Sequence, residues 1–206
     1  MPERSFDDLA AYVLGQPPRL GDVRLIAVDG PSGAGKSQFA ARLAAALGAQ
    51  IVHTDDLLNG WDDQFTFWTR LEGKVLAPLR KGENATYQRY DWGEADFAGP
   101  PITVRAASAV LLEGVSAARS VIRPELTFAV FVDAPPTVRW DRAISRDGDD
   151  SLAYRKYLER WRAAEDRHFA VEETAARADL IVDGSATAPD GRYVSLARTG
   201  CDDDYR

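Results

Sequence analysis

Sulfur is nearly absent from this chain, whose 206 residues include one cysteine and one methionine. A lone thiol, Cys201, cannot close an internal disulfide, which excludes a disulfide-stapled scaffold and fits a reducing compartment. The segment around it, Thr199 to Arg206, is polar, so Cys201 is not expected to be a nucleophile. The two histidines, His53 and His168, have no metal-ligand spacing, and a zinc centre is not expected. No apolar run approaches the ~20 residues of a membrane span. The N-terminus lacks a basic segment followed by an apolar stretch. No membrane association is expected, and a cytoplasmic location follows. Basic residues are the minority, 25 against 32 acidic, for a net charge of −7. A field of that sign repels long nucleic acid, and no nucleic-acid partner is expected. The only asparagines are Asn59 and Asn84, neither followed by lysine, so the guanine-reading motif of GTPase switches is missing.

What is present is enough for one domain. The length suits a single unit, and 45% hydrophobic residues supply a core. Strand-like apolar runs occur at Val23–Val28, Ile51–Thr54, Ala109–Leu112, Thr127–Val132 and Leu180–Val182, with a further edge strand expected at Ile102–Arg105. Helical patterns fall at Ser5–Leu14, Lys36–Leu47, Asp62–Arg80, Thr137–Arg146 and Ser151 to about Arg177. Continuous apolar runs alternating with helices predict an α/β protein with a mainly parallel, five-stranded sheet. The expected organisation is one domain over 1–206. Its core spans about 22–184, with an acceptor-site insertion at about 57–105, a lid at about 146–151 and a tail at 186–206.

The octet Gly30-Pro31-Ser32-Gly33-Ala34-Gly35-Lys36-Ser37 satisfies every fixed position of G-x-x-x-x-G-K-S, between an apolar strand and an alanine-rich helix. Its glycines free the backbone to turn N–H groups toward an anion. The helix that starts near Lys36 adds the positive end of its dipole. The Lys36 ammonium can reach the β- and γ-phosphates, and the Ser37 hydroxyl can ligate Mg²⁺. Gly30, Ser32, Gly33, Ala34, Gly35, Lys36, Ser37 and Gln38 are therefore the candidate nucleotide-binding residues, with ATP as donor and Mg²⁺ as its ion. Three further groups stand out. Asp55 and Asp56 close the second strand, at the sheet edge where catalytic groups of open α/β folds gather; a carboxylate there can take a hydroxyl proton. Glu113 closes the next buried strand, placed for Mg²⁺ or a substrate hydroxyl. Arg139, Arg142 and Arg146, at i, i+3 and i+7, share one helix face leading into Arg146-Asp147-Gly148-Asp149-Asp150, where Arg142 and Arg146 can neutralise charge on a transferring phosphoryl group. Aromatic residues crowd the insertion, from Trp61 to Trp92, as a wall for a ring or sugar face. Glu165 and His168 read as a pair on a helix surface.

With these motifs in this order, the chain from about Arg24 to Gly184 resembles the uridine kinase-like group of P-loop kinases. The resemblance rests on GPSGAGKS, VHTDDLL, YQRYDW, LLEG and FVDAPPTVRWDRAISRD. It implies that Asp55 is the general base and a metal-side group, that Tyr90 and Asp91 lie in the acceptor pocket with Asp56, and that Glu113 sits near Mg²⁺ and the acceptor. It also implies that Arg139, Arg142 and Arg146 enter the lid. There are departures. Leu57 and Leu58 stand where uridine-cytidine kinases carry a Phe-Tyr pair. Gly93-Glu94-Ala95-Asp96 has no base-reading histidine, and the lid is shorter. The expected activity is transfer of the γ-phosphoryl group of ATP to a hydroxyl of a small molecule other than uridine. Two alternatives are an antibiotic or secondary-metabolite phosphotransferase and a regulatory ATPase without kinase activity. The acceptor, the choice between ATP and GTP, and the oligomeric state are not specified by the residues.

Overall fold

The computed structural model describes residues 3–196. Residues 197–206 of the expected tail, Cys201 among them, lie outside the described residues. The chain opens with β1 (Glu3–Ser5) and α1 (Phe6–Gly15), whose cap is the Ser5 hydroxyl accepting the N–H groups of Asp7 and Asp8. β2 (Arg24–Asp29), α2 (Lys36–Leu47) and β3 (Gln50–His53) form the first β-α-β unit. Gly48 ends α2 in the left-handed region, at φ 62°.

An insertion follows. It contains α3 (Trp68–Leu71), α4 (Ala77–Arg80) and the short strands β4 (Ala85–Tyr87), β5 (Tyr90–Asp91), β6 (Asp96–Phe97) and β7 (Ile102–Val104). The chain returns to the sheet with β8 (Ala109–Glu113) and β9 (Leu126–Asp133). It then runs through α5 (Pro136–Asp147), α6 (Leu152–Glu172) and α7 (Thr174–Arg177) to β10 (Leu180–Asp183) and β11 (Arg192–Val194).

The central sheet has the order β10-β9-β2-β8-β3, and every pairing in it is parallel. Alternation along β2 explains the three layers. Ile26 and Val28 pack with Leu43 of α2 and Leu9 of α1 on one face, while Leu25 and Ala27 pack with Leu71 and Leu79 of the insertion on the other. The chain leaves β2 for β3 on one side, returns to β8 beside β2, and crosses to β9 on the other. The C-terminal end of β2 is thus a topological switch point, where open α/β sheets hold their ligands.

Three expectations change. Ile102–Val104 is not an edge of the central sheet; it pairs antiparallel with Ala85–Tyr87 in a separate ribbon. The Asp62–Arg80 helix is interrupted: residues Glu72–Leu76 widen into a π-turn, and Ala77 N–H reaches back to the carbonyl of Glu72. Pro78 has no N–H and crowds the preceding turn, which the wider register relieves. The long helix expected from Ser151 breaks at Glu173, which adopts φ 50°, so α7 is a separate turn.

Candidate active site

The phosphate loop leaves β2 at Asp29, a wholly buried carboxylate. Its oxygens accept N–H groups from Gly30 (2.7 Å), Ser116 (3.0 Å) and Ala118 (2.9 Å). It ties the start of the loop to the turn after β8. Burial pushes its pKa up to about 6, against the pull of those donors and Lys36. Gly33 and Gly35 take φ of 78° and 103°, where a side chain is strained. A Cβ on Gly33 would also lie 2.5 Å from the carbonyl oxygen of Arg139. The first N–H groups of α2 have no partner within the helix and face outward with its dipole. Lys36 is buried, and its ammonium donates to the carbonyl of Pro31 at 3.1 Å.

A cavity of about 360 Å³ opens over this loop. Ser32, Gly33, Gly35, Lys36, Ser37 and Gln38 line it, together with Asp55, Glu113, Arg142 and Arg146. Gly30 and Ala34 are buried within the loop and do not line it. Glu113, at the end of β8, accepts a hydrogen bond from the Ser37 hydroxyl (3.1 Å) and lies 2.6 Å from His53 Nδ1. Burial works against its charge, but His53, Lys36 and Ser37 outweigh that effect and lower its pKa. The same contact raises the pKa of His53. Gly114 lets this strand end turn at φ 141°; a Cβ there would meet the hydroxyl of Thr54 at 1.9 Å.

Asp55 faces the cavity, so water reaches it, yet protein surrounds most of the carboxylate. That desolvation raises its pKa, with Lys36 opposing and the Glu113 charge adding. Ser37, Asp55 and Glu113 offer only oxygen donors, the set that suits a hard divalent cation. Among the described residues, no cluster of three or more His, Cys, Asp and Glu gathers as a metal centre. Any such ion would therefore depend on phosphate oxygens as well.

From α5, Arg142 braces the site. Its guanidinium donates to the carbonyl of Gly33 (3.1 Å) and to that of Gly184 (3.0 Å), linking the loop to the end of β10. Arg146 forms a two-point pair with Asp147 at 2.6 and 2.8 Å, and the Tyr154 hydroxyl bonds to the same carboxylate. The remaining expected residues lie off the cavity. Asp56 accepts from the Tyr87 hydroxyl at 3.2 Å. Tyr90 is buried against Trp92 and Phe97. Asp91 is exposed and caps the N–H groups of Gly93 and Glu94. Arg139 contributes its backbone at Gly33 and does not line the cavity.

Trp61 and Trp92, read from the sequence as part of an aromatic wall, line the cavity; Tyr157 and Trp161 of α6, which escaped that reading, line it beside them. Ring centroids lie 4.3 Å apart for Trp61 and Trp92, 4.9 Å for Trp61 and Tyr157, and 5.8 Å for Trp61 and Trp161. Glu165, expected on a helix surface, is fully buried against Ser32 of the phosphate loop. Its local pattern, Ala163-Ala164-Glu165-Asp166-Arg167, reads as solvated helix; the one available signal was Trp161 a turn earlier. His168 stacks on Phe65 at 4.6 Å, and burial pushes its pKa down to about 4.

A family model described as an AAA domain, AAA_33, matches residues 25–199. The chain belongs to the AAA_33 family. The match takes in the central sheet from Leu25 onward, the phosphate loop and α5, and the fold is that of a P-loop kinase. A possible uridine kinase from Bacillus stearothermophilus superposes with a TM-score of 0.61 at 22% identity, over 85% of this chain and 96% of that one. A candidate fructose transport system kinase from Silicibacter sp. TM1040 gives 0.55 at 18% identity, over 85% and 95%. At these identities the likeness is one of fold. No curated protein matches the chain. Among the described residues, no helix is long and apolar enough to cross a membrane.

Proposed function

We propose that this domain transfers the γ-phosphoryl group of ATP to a hydroxyl of a small molecule, with Mg²⁺ as its ion. The observation that carries this reading is the meeting of the phosphate loop, Asp55 and Glu113 with the lid arginine Arg146 in one cavity. Lys36 and the loop N–H groups orient the triphosphate. Asp55, raised in pKa by desolvation, takes the proton of the attacking hydroxyl. Arg146 neutralises charge on the transferring group, and Arg142 keeps the loop in shape. Ser37, Asp55 and Glu113 would hold Mg²⁺, which would supply charge withdrawal from the phosphate oxygens.

The lining also constrains the acceptor. Its three cations are already taken up in this reading: Lys36 and Arg146 by the donor phosphates, Arg142 by two carbonyls. None is left over for an acceptor phosphate or carboxylate. The Tyr157 hydroxyl is buried in this wall without a partner among the described residues. A neutral, ring-bearing alcohol fits this wall best. The test is a set of acceptors matched in size but differing in charge, with ADP release as readout. Turnover is expected for neutral alcohols; turnover confined to phosphorylated acceptors refutes the reading. Lys36→Ala is expected to lose turnover with every acceptor, and full turnover in that variant removes the phosphate loop from the mechanism.

A further inference from the structure

Glu165 is fully buried on α6 and closes a three-cornered hydrogen-bond network on the phosphate loop. Its two oxygens share the Ser32 N–H, each at 3.2 Å. The Ser32 hydroxyl donates to the same carboxylate. Trp161 Nε1 donates to Glu165 at 2.7 Å and to the Ser32 hydroxyl at 3.1 Å. Both polar hydrogens of a cavity-lining loop residue are thus committed to a carboxylate, and the third corner is an indole of the acceptor wall.

We propose that Glu165 is a positioning residue that couples occupation of the phosphate loop to the aromatic wall through Ser32 and Trp161. The proposal rests on the reading that this loop binds a nucleoside triphosphate. A carboxylate that only anchored α6 would need no contact with ligand-facing groups. This one holds the two donors that a phosphate oxygen at Ser32 would seek, and it places its own charge beside that oxygen. Phosphate and Glu165 compete for Ser32. As Ser32 turns to phosphate, Trp161 loses its serine acceptor and keeps only Glu165. The indole shifts, and with it the wall it shares with Tyr157 and Trp61. A donor nucleotide in place therefore resets the acceptor pocket.

The test uses the full chain, with intrinsic tryptophan fluorescence during titration with the Mg²⁺ complex of a non-hydrolysable ATP analogue. Calorimetry measures binding of the same ligand separately. The expected result is a saturable fluorescence change in the wild type that Trp161→Phe abolishes. Glu165→Gln keeps the size of the side chain but turns an N–H₂ toward donors. It is expected to lose most of the change while its calorimetric Kd stays within about tenfold of wild type. Ser32→Ala removes only the hydroxyl corner and is expected to show the same loss, which keeps the proposal testable if Glu165→Gln does not fold. A full fluorescence change in either variant overturns the coupling, as does an unchanged signal in Trp161→Phe. Absence of calorimetric binding to the wild type instead overturns the nucleotide reading beneath it.

Discussion

Replacing Gly184 by alanine tests how the phosphate loop is held from behind. Gly184 follows β10, donates its N–H to the carbonyl of Asp133 at 2.7 Å and accepts from Arg142 at 3.0 Å. A Cβ on it would lie 1.8 Å from the carbonyl oxygen of Ala34, in the middle of the phosphate loop, and 2.8 Å from Val132 Cγ1. The first contact falls about 1.2 Å short of the 3.0 Å that real Cβ atoms respect. It is made with backbone, which has no rotamer to yield. Either the loop moves off β10 or the Arg142 and Asp133 bonds lengthen. Overpacking of this kind costs roughly 1–3 kcal/mol, and a backbone clash belongs at the upper end. For a domain of this size that is a fall in Tm of about 6–12 °C. The displaced loop also misaims its N–H groups. Loss of one hydrogen bond to a charged group, roughly 1.5–3 kcal/mol, weakens nucleotide binding by about 10–100-fold. Thermal melting and calorimetry with a non-hydrolysable ATP analogue read both effects. Wild-type Tm and affinity in Gly184→Ala would refute the argument that this close approach shapes the loop.

Other outcomes follow from the same geometry. Arg142→Lys replaces a fork that reaches two carbonyls with a single ammonium; kcat is expected to fall along with about 1–3 kcal/mol of stability, measured by steady-state kinetics and denaturant titration, and an unchanged enzyme would show that the brace is idle. His53 is raised above 6.5 by Glu113, so its contribution to stability is complete below pH 6.5 and fades as pH rises through the folded value. Tm of the wild type should therefore drop relative to His53→Gln as pH climbs from about 6 to 9, whereas parallel profiles would contradict the ion pair.

Much of the fold was legible because its signals are local. Continuous apolar runs marked all five strands of the parallel sheet, and the complete octet Gly30–Ser37 marked the loop between strand and helix. Gly48 stops α2 at Leu47, where the sequence placed the end, and α5 runs one residue past the expected Arg146 to its cap at Gly148. The insertion was harder. A π-turn that accommodates Pro78 has no periodic signature, and a three-residue strand such as Ile102–Val104 has no local feature that names its partner. The site divides the same way. Asp55 and Glu113 are readable because Glu113 ends a strand of the sheet and Asp55 lies two residues past the end of another. Glu165 reaches the phosphate loop and Tyr157 the cavity only because α6 folds back across the loop, a long-range contact that a run of charged neighbours conceals. Asp29 was hidden for another reason: an acid at a strand end reads as solvated until the turn at Ser116–Ala118 closes over it.

The central claim is that Asp55 serves phosphoryl transfer to an alcohol. Mass detection of the acceptor after incubation with ATP and Mg²⁺ tests it most directly, run side by side on wild type and Asp55→Asn. The account predicts a phosphomonoester from a neutral alcohol with the wild type, and about 10²–10⁴-fold slower formation with Asp55→Asn, the usual contribution of a general base. Conversion of ATP to ADP and free phosphate with no phosphorylated acceptor would contradict it, as would equal product from the two proteins.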